Sequence, residues 1–141
     1  MKRCLFAVFL ALALVCALVA QTRETFKARL SPVAVDAQLV TVITGHGAVS
    51  AVLAGTRLTV TGTFQGMHSA ATAAQLHQGV ATGVPGAAIQ DLKVSTAMGG
   101  AISGSVDLTA PQVEALRKGL VYVVVDSTGA PDGNLWGWLL K

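Results

Sequence analysis

The strongest constraint on the fold of this chain is a series of short segments in which apolar and polar residues alternate. The clearest segment spans residues 57–64, where Leu58, Val60 and Phe64 share one face and the threonines between them share the other. This period of two is typical of a strand with one buried and one solvated face. Similar segments, separated by glycine, proline, Asp or Asn, cover residues 26–30, 39–43, 47–53, 73–77, 88–94, 101–108, 120–126 and 134–140. The tracts at residues 79–86 and 127–133 predict turns or loops, and the second predicts a hairpin between the last two strands. The chain therefore predicts an all-β domain.

One segment departs from this pattern and predicts a short helix. Thr109 is a favoured N-cap residue, Pro111 would lie in the first turn, and Val113 and Leu116 are three residues apart before a glycine. Eight or nine strands and one helix are typical of a β-sandwich or a barrel. A chain of 141 residues has room for one such domain.

An apolar run at the N-terminus predicts export. Residues 5–20 are all apolar, and they follow Lys2 and Arg3 and precede a polar stretch. As a helix this run would span roughly 24 Å, shorter than a bilayer core of roughly 30 Å. We therefore predict a signal peptide over residues 1–20 and a domain over residues 21–141, located in the periplasm or secreted. An uncleaved leader that anchors the domain to a membrane is the alternative.

The charge and the cysteines exclude several functions. Residues 21–141 contain eight basic and seven acidic residues, so the net charge of +3 falls to about +1 without the leader. The basic residues are also scattered, which predicts no nucleic-acid partner. Cys4 and Cys16 both lie in the leader, so the exported domain has no disulfide, thiol nucleophile or cysteine ligand.

Seven short motifs follow one another between Phe26 and Leu140. They are FKARL at 26–30, GA at 47–48, AQLHQG at 74–79, GVPG at 83–86, the capped helical segment at 108–119, YVVV at 122–125 and PDGNLWG at 131–137. Their order and spacing resemble the CHRD domain, a family frequent in exported bacterial proteins. The resemblance implies an immunoglobulin-like or superoxide-dismutase-like Greek-key β-sandwich, but it leaves the function open.

The chain departs from the family pattern at polar positions. The family commonly has a His-x-His pair where this chain has Gln75 and His77, and a histidine where this chain has Asp126. In the closing Gly-Glu-Ile-Arg-Gly motif, Asn134 and Trp136 replace the Glu and the Arg. The resemblance therefore implies a structural polar cluster of Gln75, His77, Asp126 and Asn134 that has lost most of its histidines.

A metal site at His77 and Asp126 is the alternative to a structural cluster. Imidazole and carboxylate groups can bind copper or zinc, which would make the protein a redox protein or a metal carrier. Two ligands seldom suffice, and a third would have to come from a loop histidine, His46 or His68. We therefore favour no cofactor and a hydrogen-bonded cluster in which His77 pairs with a neighbouring acceptor.

The last strand carries an unusual aromatic pair. Alternation places Trp136, Trp138 and Leu140 on one face and Leu135 and Leu139 on the other. If the two leucines face the interior, both indoles point outward and form an exposed apolar stripe, which is rare on a monomer. Such a stripe is typical of a partner surface. The alternative is that the segment 21–35 folds over the rings.

These observations predict an exported, non-catalytic binding or assembly module. Its docking surface would be the C-terminal strand around Trp136, Trp138 and Leu140. The partner would be a protein, either a second copy of the chain or a larger exported or membrane-bound complex. No hydrolase elbow or phosphate-binding glycine loop is present, so the sequence favours no enzyme.

Overall fold

The fold is known from a computed structural model that describes residues 21–33 and 37–141. Within these residues it confirms an all-β domain with one short helix. The elements are β1 (Arg23–Pro32), β2 (His46–Ala54), β3 (Arg57–Gln65), β4 (Ala71–Gln78), β5 (Ala87–Val94), β6 (Gly100–Asp107), α1 (Ala110–Arg117), β7 (Val121–Ser127) and β8 (Ala130–Trp138).

The predicted signal peptide, residues 1–20, lies outside the described part of the chain. Within the described part, no helix has the length and apolar character needed to cross a membrane.

The eight strands close into one antiparallel barrel in the order β1-β2-β3-β6-β5-β4-β7-β8. The expected Greek-key β-sandwich is therefore not confirmed. Closure depends on two strands that change partner along their length. Strand β1 pairs with β2 up to Leu30 and then with β8 at Ser31 and Pro32. Strand β5 likewise leaves β4 and reaches β6 at Lys93 and Val94.

Alternation along the strands builds the core. On β1, Phe26, Ala28 and Leu30 point into the barrel, and on β3 Leu58 and Val60 do the same. All five side chains are buried, while the residues between them are exposed. Burial of this apolar surface is the main contribution to stability, since the described residues contain no cysteine.

The predicted strand at residues 39–43 is wrong. These residues form turns, in which the amides of Val42 and Ile43 both donate to the carbonyl of Leu39. The reason is topological, because β1 pairs with β2 on one side and with β8 on the other. Barrel closure therefore leaves no strand edge here for another strand to join.

The predicted hairpin between the last two strands is confirmed, but its loop is shorter than expected. The tract 127–133 was expected to be turn or loop, whereas β7 extends to Ser127 and β8 begins at Ala130. Only Thr128 and Gly129 form the turn. Pro131 and Asp132 are therefore strand residues, with positions set by β8.

The predicted helix is confirmed with its caps. The Thr109 hydroxyl accepts from the amide of Gln112, and the Gln112 side chain accepts from the amide of Thr109. This capping box satisfies two amides that otherwise lack partners. After Lys118, Gly119 adopts a positive φ of 73°, which ends the helix.

Removal of the N-cap hydroxyl tests this account of the helix. We expect Thr109→Ala to lower the free energy of unfolding by about 1 kcal/mol, because the amide of Gln112 loses its acceptor. Thr109→Ser keeps the hydroxyl and should stay close to the native value. Urea denaturation followed by tryptophan fluorescence measures both variants. Equal losses in the two would contradict the capping role.

Candidate functional site

The candidate site lies on the outer face of the barrel wall formed by β4, β7 and β8. Leu135 and Leu139 are fully buried inside the barrel. Trp136 and Trp138 alternate with them, point outward and are partly buried, while Leu140 is 50% exposed. The three residues of the predicted docking surface therefore share the outer face of the wall.

Cross-strand register gathers the aromatic side chains of this face. Tyr122 on β7 pairs with Trp138 on β8 and with His77 on β4, so the three form one row across the wall. The Tyr122 ring centre lies 4.4 Å from that of Trp138 and 5.2 Å from that of His77. Trp136 meets Tyr122 edge-on at 6.1 Å and Trp138 at 6.0 Å. These distances lie in the range of favourable aromatic pairs.

Tyr122 is consequently only 2% exposed, whereas the indoles of Trp136 and Trp138 remain partly exposed. The alternative of internal cover by residues 21–35 finds limited support, because residues 23–32 form strand β1. Within the described residues of that segment, Val33 lines the pocket beside Trp136. Residues 34 and 35 lie outside the described part of the chain.

The loop between β4 and β5, residues 79–86, is tied to the aromatic row. The Tyr122 hydroxyl accepts from the amide of Gly86 at 2.9 Å and donates to its carbonyl oxygen at 3.2 Å. A Cβ on Gly79 would lie 2.7 Å from the Trp138 ring, so only glycine allows this close approach. The loop consequently packs directly against the indole.

Two exposed valines in this loop extend the apolar surface. Val80 is 77% exposed and Val84 is 44% exposed. The sequence analysis assigned the segment to a turn and missed both residues. A possible signal was the presence of valines within a glycine-rich loop, where polar residues are more usual.

His77 has hydrogen-bond partners at both ring nitrogens. Nδ1 lies 3.0 Å from the Gly86 carbonyl oxygen, and Nε2 lies 3.1 Å from Oε1 of Gln75. The Gln75 amide nitrogen donates to Asp91 at 2.8 Å, and because a carboxylate only accepts, this contact turns the amide oxygen toward His77. Both ring nitrogens of His77 thus face oxygen acceptors. The sequence analysis missed Asp91, whose role depends on the pairing of β4 with β5.

Asp126 lies next to this cluster and shares a pocket with Gln75 and His77. Burial raises the pKa of the Asp126 carboxyl above its ordinary value of 3.8. The positive charge of His77 lowers this pKa, and the negative charge of Asp132 raises it further. The net direction is upward, so burial dominates over the attraction to His77.

Asn134 belongs to a different network from the one expected. Its side chain is fully buried, accepts from the Ser127 hydroxyl at 2.9 Å and donates to the Thr44 carbonyl at 2.8 Å. The register of β7 and β8 shifts between Val125 and Ser127, which moves Asn134 away from simple alternation with Trp136. It stabilises the hairpin and the segment at Thr44 and makes no hydrogen bond to Gln75, His77 or Asp126 in the described residues.

The proposed metal ligands are not grouped as a metal centre would require. Within residues 21–33 and 37–141, no group of three or more His, Cys, Asp or Glu side chains could hold a metal ion. His46 contacts Gln65 at 2.8 Å, on the strand pair β2 and β3. His77 uses both ring nitrogens in the hydrogen bonds described above, so a bound metal would have to break one of them.

Comparison with known proteins identifies the family. The family model of the CHRD domain matches residues 26–139, nearly the whole described chain. The chain belongs to the CHRD domain family. No curated protein and no solved structure matches it. The resemblance carried by the seven motifs is thus confirmed, and the barrel described above is the form that this CHRD domain takes.

The raised pKa of Asp126 predicts how the stability of the CHRD domain depends on pH. Because the folded carboxyl binds its proton more tightly than the unfolded one, stability falls as pH rises from 3.8 through the folded pKa. Asp126→Asn has no charge to bury, so we expect a higher melting temperature than native at pH 7. The difference in melting temperature between Asp126→Asn and the native protein should shrink as pH falls from the folded pKa toward 3.8.

Melting temperatures of both proteins between pH 3 and pH 8 measure this effect. Asp107→Asn is the matched control, because Asp107 is exposed and pairs with Arg57 at the surface. It should show little change. A lower melting temperature for Asp126→Asn at pH 7 would contradict the dominance of burial.

Proposed function

We propose that this CHRD domain is an exported, non-catalytic binding module that docks onto a partner protein through the outer face of β8. The observation that carries the proposal is the pair of partly exposed indoles, Trp136 and Trp138, which lie on the outer face of the wall against the buried ring of Tyr122. Export would depend on the apolar run at residues 5–20.

Side-chain chemistry supports docking at this face. Trp and Tyr are the residue types most often found at the energetic centre of protein interfaces, where they combine large apolar area with one polar group. Leu140 lies at one end of the row, and the exposed Val80 and Val84 lie on the loop packed against Trp138. An apolar surface of this kind is stabilised when a partner removes it from water.

The hydrogen bonds of the site favour a non-catalytic role. A general base must have a free nitrogen or oxygen within reach of a proton on the substrate. The ring nitrogens of His77 instead contact Gly86 and Gln75. These contacts make His77 a positioning residue for the loop at 79–86.

The charges favour a protein over a nucleic acid as the partner. Residues 21–141 carry eight basic and seven acidic residues, and three of the basic residues, Arg57, Arg117 and Lys141, form ion pairs. A nucleic-acid surface needs clustered cations that are free to contact phosphates. A second copy of the chain or a larger exported complex suits the apolar face better.

Site-specific photo-crosslinking in the source cells tests the docking face. We expect a photoreactive phenylalanine analogue at Leu140 to form a protein adduct, because half of this side chain is exposed beside the row. The same analogue at Ser103, an exposed residue on β6, is the matched control. An adduct of twice the chain mass would identify a second copy, and a different mass would identify another protein.

Replacement of the indoles provides the second arm of this experiment. Adding Trp136→Arg and Trp138→Gln to the Leu140 crosslinker should lower the adduct yield at least tenfold, because a tryptophan at the energetic centre of an interface contributes about 2 kcal/mol or more. Circular dichroism and thermal melting check that the variant folds. Equal adducts at positions 140 and 103, or an unchanged yield in a folded variant, would refute the docking face.

The competing function is a copper or zinc protein that uses His77 and Asp126, which line one pocket. It predicts stoichiometric metal in the purified native protein and its loss in His77→Ala. Because the ring nitrogens are already hydrogen-bonded, we expect no stoichiometric metal. Elemental analysis of the native protein and the variant decides between the two functions.

A further inference from the structure

A pocket beside Trp136 indicates what the partner presents to the docking face, and this inference rests on the proposed function. The pocket has a volume of about 320 Å³ and lies between the β7-β8 wall, Val33 and the loop at Pro85 and Gly86. This volume is at the lower end of the range for small-molecule sites. It therefore suits a single side chain of a partner that also covers the neighbouring apolar surface.

The charges in the pocket are unbalanced. Asp126 and Asp132 line it, whereas no Lys or Arg does. In the described part of the chain, neither carboxylate forms a hydrogen bond or an ion pair. His77 also lines the pocket, but its ring nitrogens are hydrogen-bonded to Gly86 and Gln75. The two carboxylates of the pocket thus lack a partner in the described part of the chain.

Partial burial makes an unpaired carboxylate at Asp126 energetically unfavourable. Asp126 is partly buried, and desolvation raises its pKa, so the negative charge is disfavoured in the isolated domain. A cation from outside would stabilise that charge where water is partly excluded. Asp132 is exposed at the rim of the pocket, where it can attract the same cation on approach.

The other walls suit the remainder of a long basic side chain. Trp136 lines the pocket and presents an aromatic ring, which favours a cation nearby. Val33, Val124 and Pro131 form apolar surface around it. Methylene groups pack on such a surface while the charged end reaches the carboxylates.

We propose that this pocket receives an arginine side chain of the partner protein. The guanidinium lies between Asp126 and Asp132 and against the Trp136 ring. Arginine fits better than lysine because its planar group donates several hydrogen bonds at once and stacks on aromatic rings. The arginine provides specificity, and the apolar surface along Trp138 and Leu140 provides contact area.

Titration with N-acetyl-arginine methylamide, followed by the indole N–H signals in NMR spectra, tests the pocket directly. We expect a saturable shift of the Trp136 signal that weakens with added salt. The citrulline analogue has the same shape without the charge and should bind at least tenfold more weakly. The lysine analogue should also bind more weakly than the arginine derivative.

Two double variants separate the pocket from general charge effects. Asp126→Asn with Asp132→Asn should reduce the affinity at least tenfold. Asp107→Asn with Glu114→Gln removes the same charge from exposed positions paired with Arg57 and Arg117, and it should bind like the native protein. Equal losses in both double variants would overturn the proposal.

Two further outcomes would overturn the proposal. Binding of the citrulline analogue as tight as that of the arginine derivative would show that charge plays no part. Choline binding more tightly than the arginine derivative would assign the pocket to a small quaternary cation. If the arginine derivative does not bind but the adduct at Leu140 still forms, only the arginine assignment is refuted. If the adduct does not form, the docking function is refuted.

Discussion

The cross-strand register of β4, β7 and β8 determines the character of this molecule. Because Tyr122 pairs with His77 on one side and with Trp138 on the other, three rings form one row on the outside of the barrel. A shift of one residue in either pairing would exchange inner and outer side chains, placing Tyr122 or the indoles in the core. The fully buried Leu76, Val123 and Leu135 keep the register, since they pack on the opposite face of the same strands.

The aromatic row supports a loop as well as an outer surface. Tyr122 and His77 both bind Gly86, and Trp138 packs against Gly79, so the two ends of the β4-β5 loop are held by the same side chains. This arrangement uses the polar atoms of Tyr122 and His77 in hydrogen bonds, buries the Tyr122 ring and leaves part of the Trp138 ring exposed. A rigid aromatic surface with few mobile groups loses little entropy on association, which suits a binding module.

The sequence predicts the local features of this domain well and the long-range ones poorly. It predicted the outward direction of Trp136 and Trp138, the capped helix and the final hairpin, which depend on residues close together in the chain. It misassigned residues 39–43, because their apolar alternation resembles a strand although the closed barrel offers no edge to pair with. The strand pattern left a sandwich or a barrel open, and the family resemblance favoured the sandwich. The pattern could not decide, because closure depends on partner changes in β1 and β5 that leave no periodic signal.

The sequence by itself determined which side chains alternate, where the helix begins and ends, and the family to which the domain belongs. Only the tertiary structure decided that Asp91 orients the Gln75 side chain and that Asp126 and Asp132 line one pocket. It also decided that Asn134 is hydrogen-bonded to Ser127 and not to the His77 cluster. The reason is that alternation follows from the covalent geometry of each strand. Contacts between distant residues depend on register, bulges and loop packing, which are settled only when the whole sheet closes.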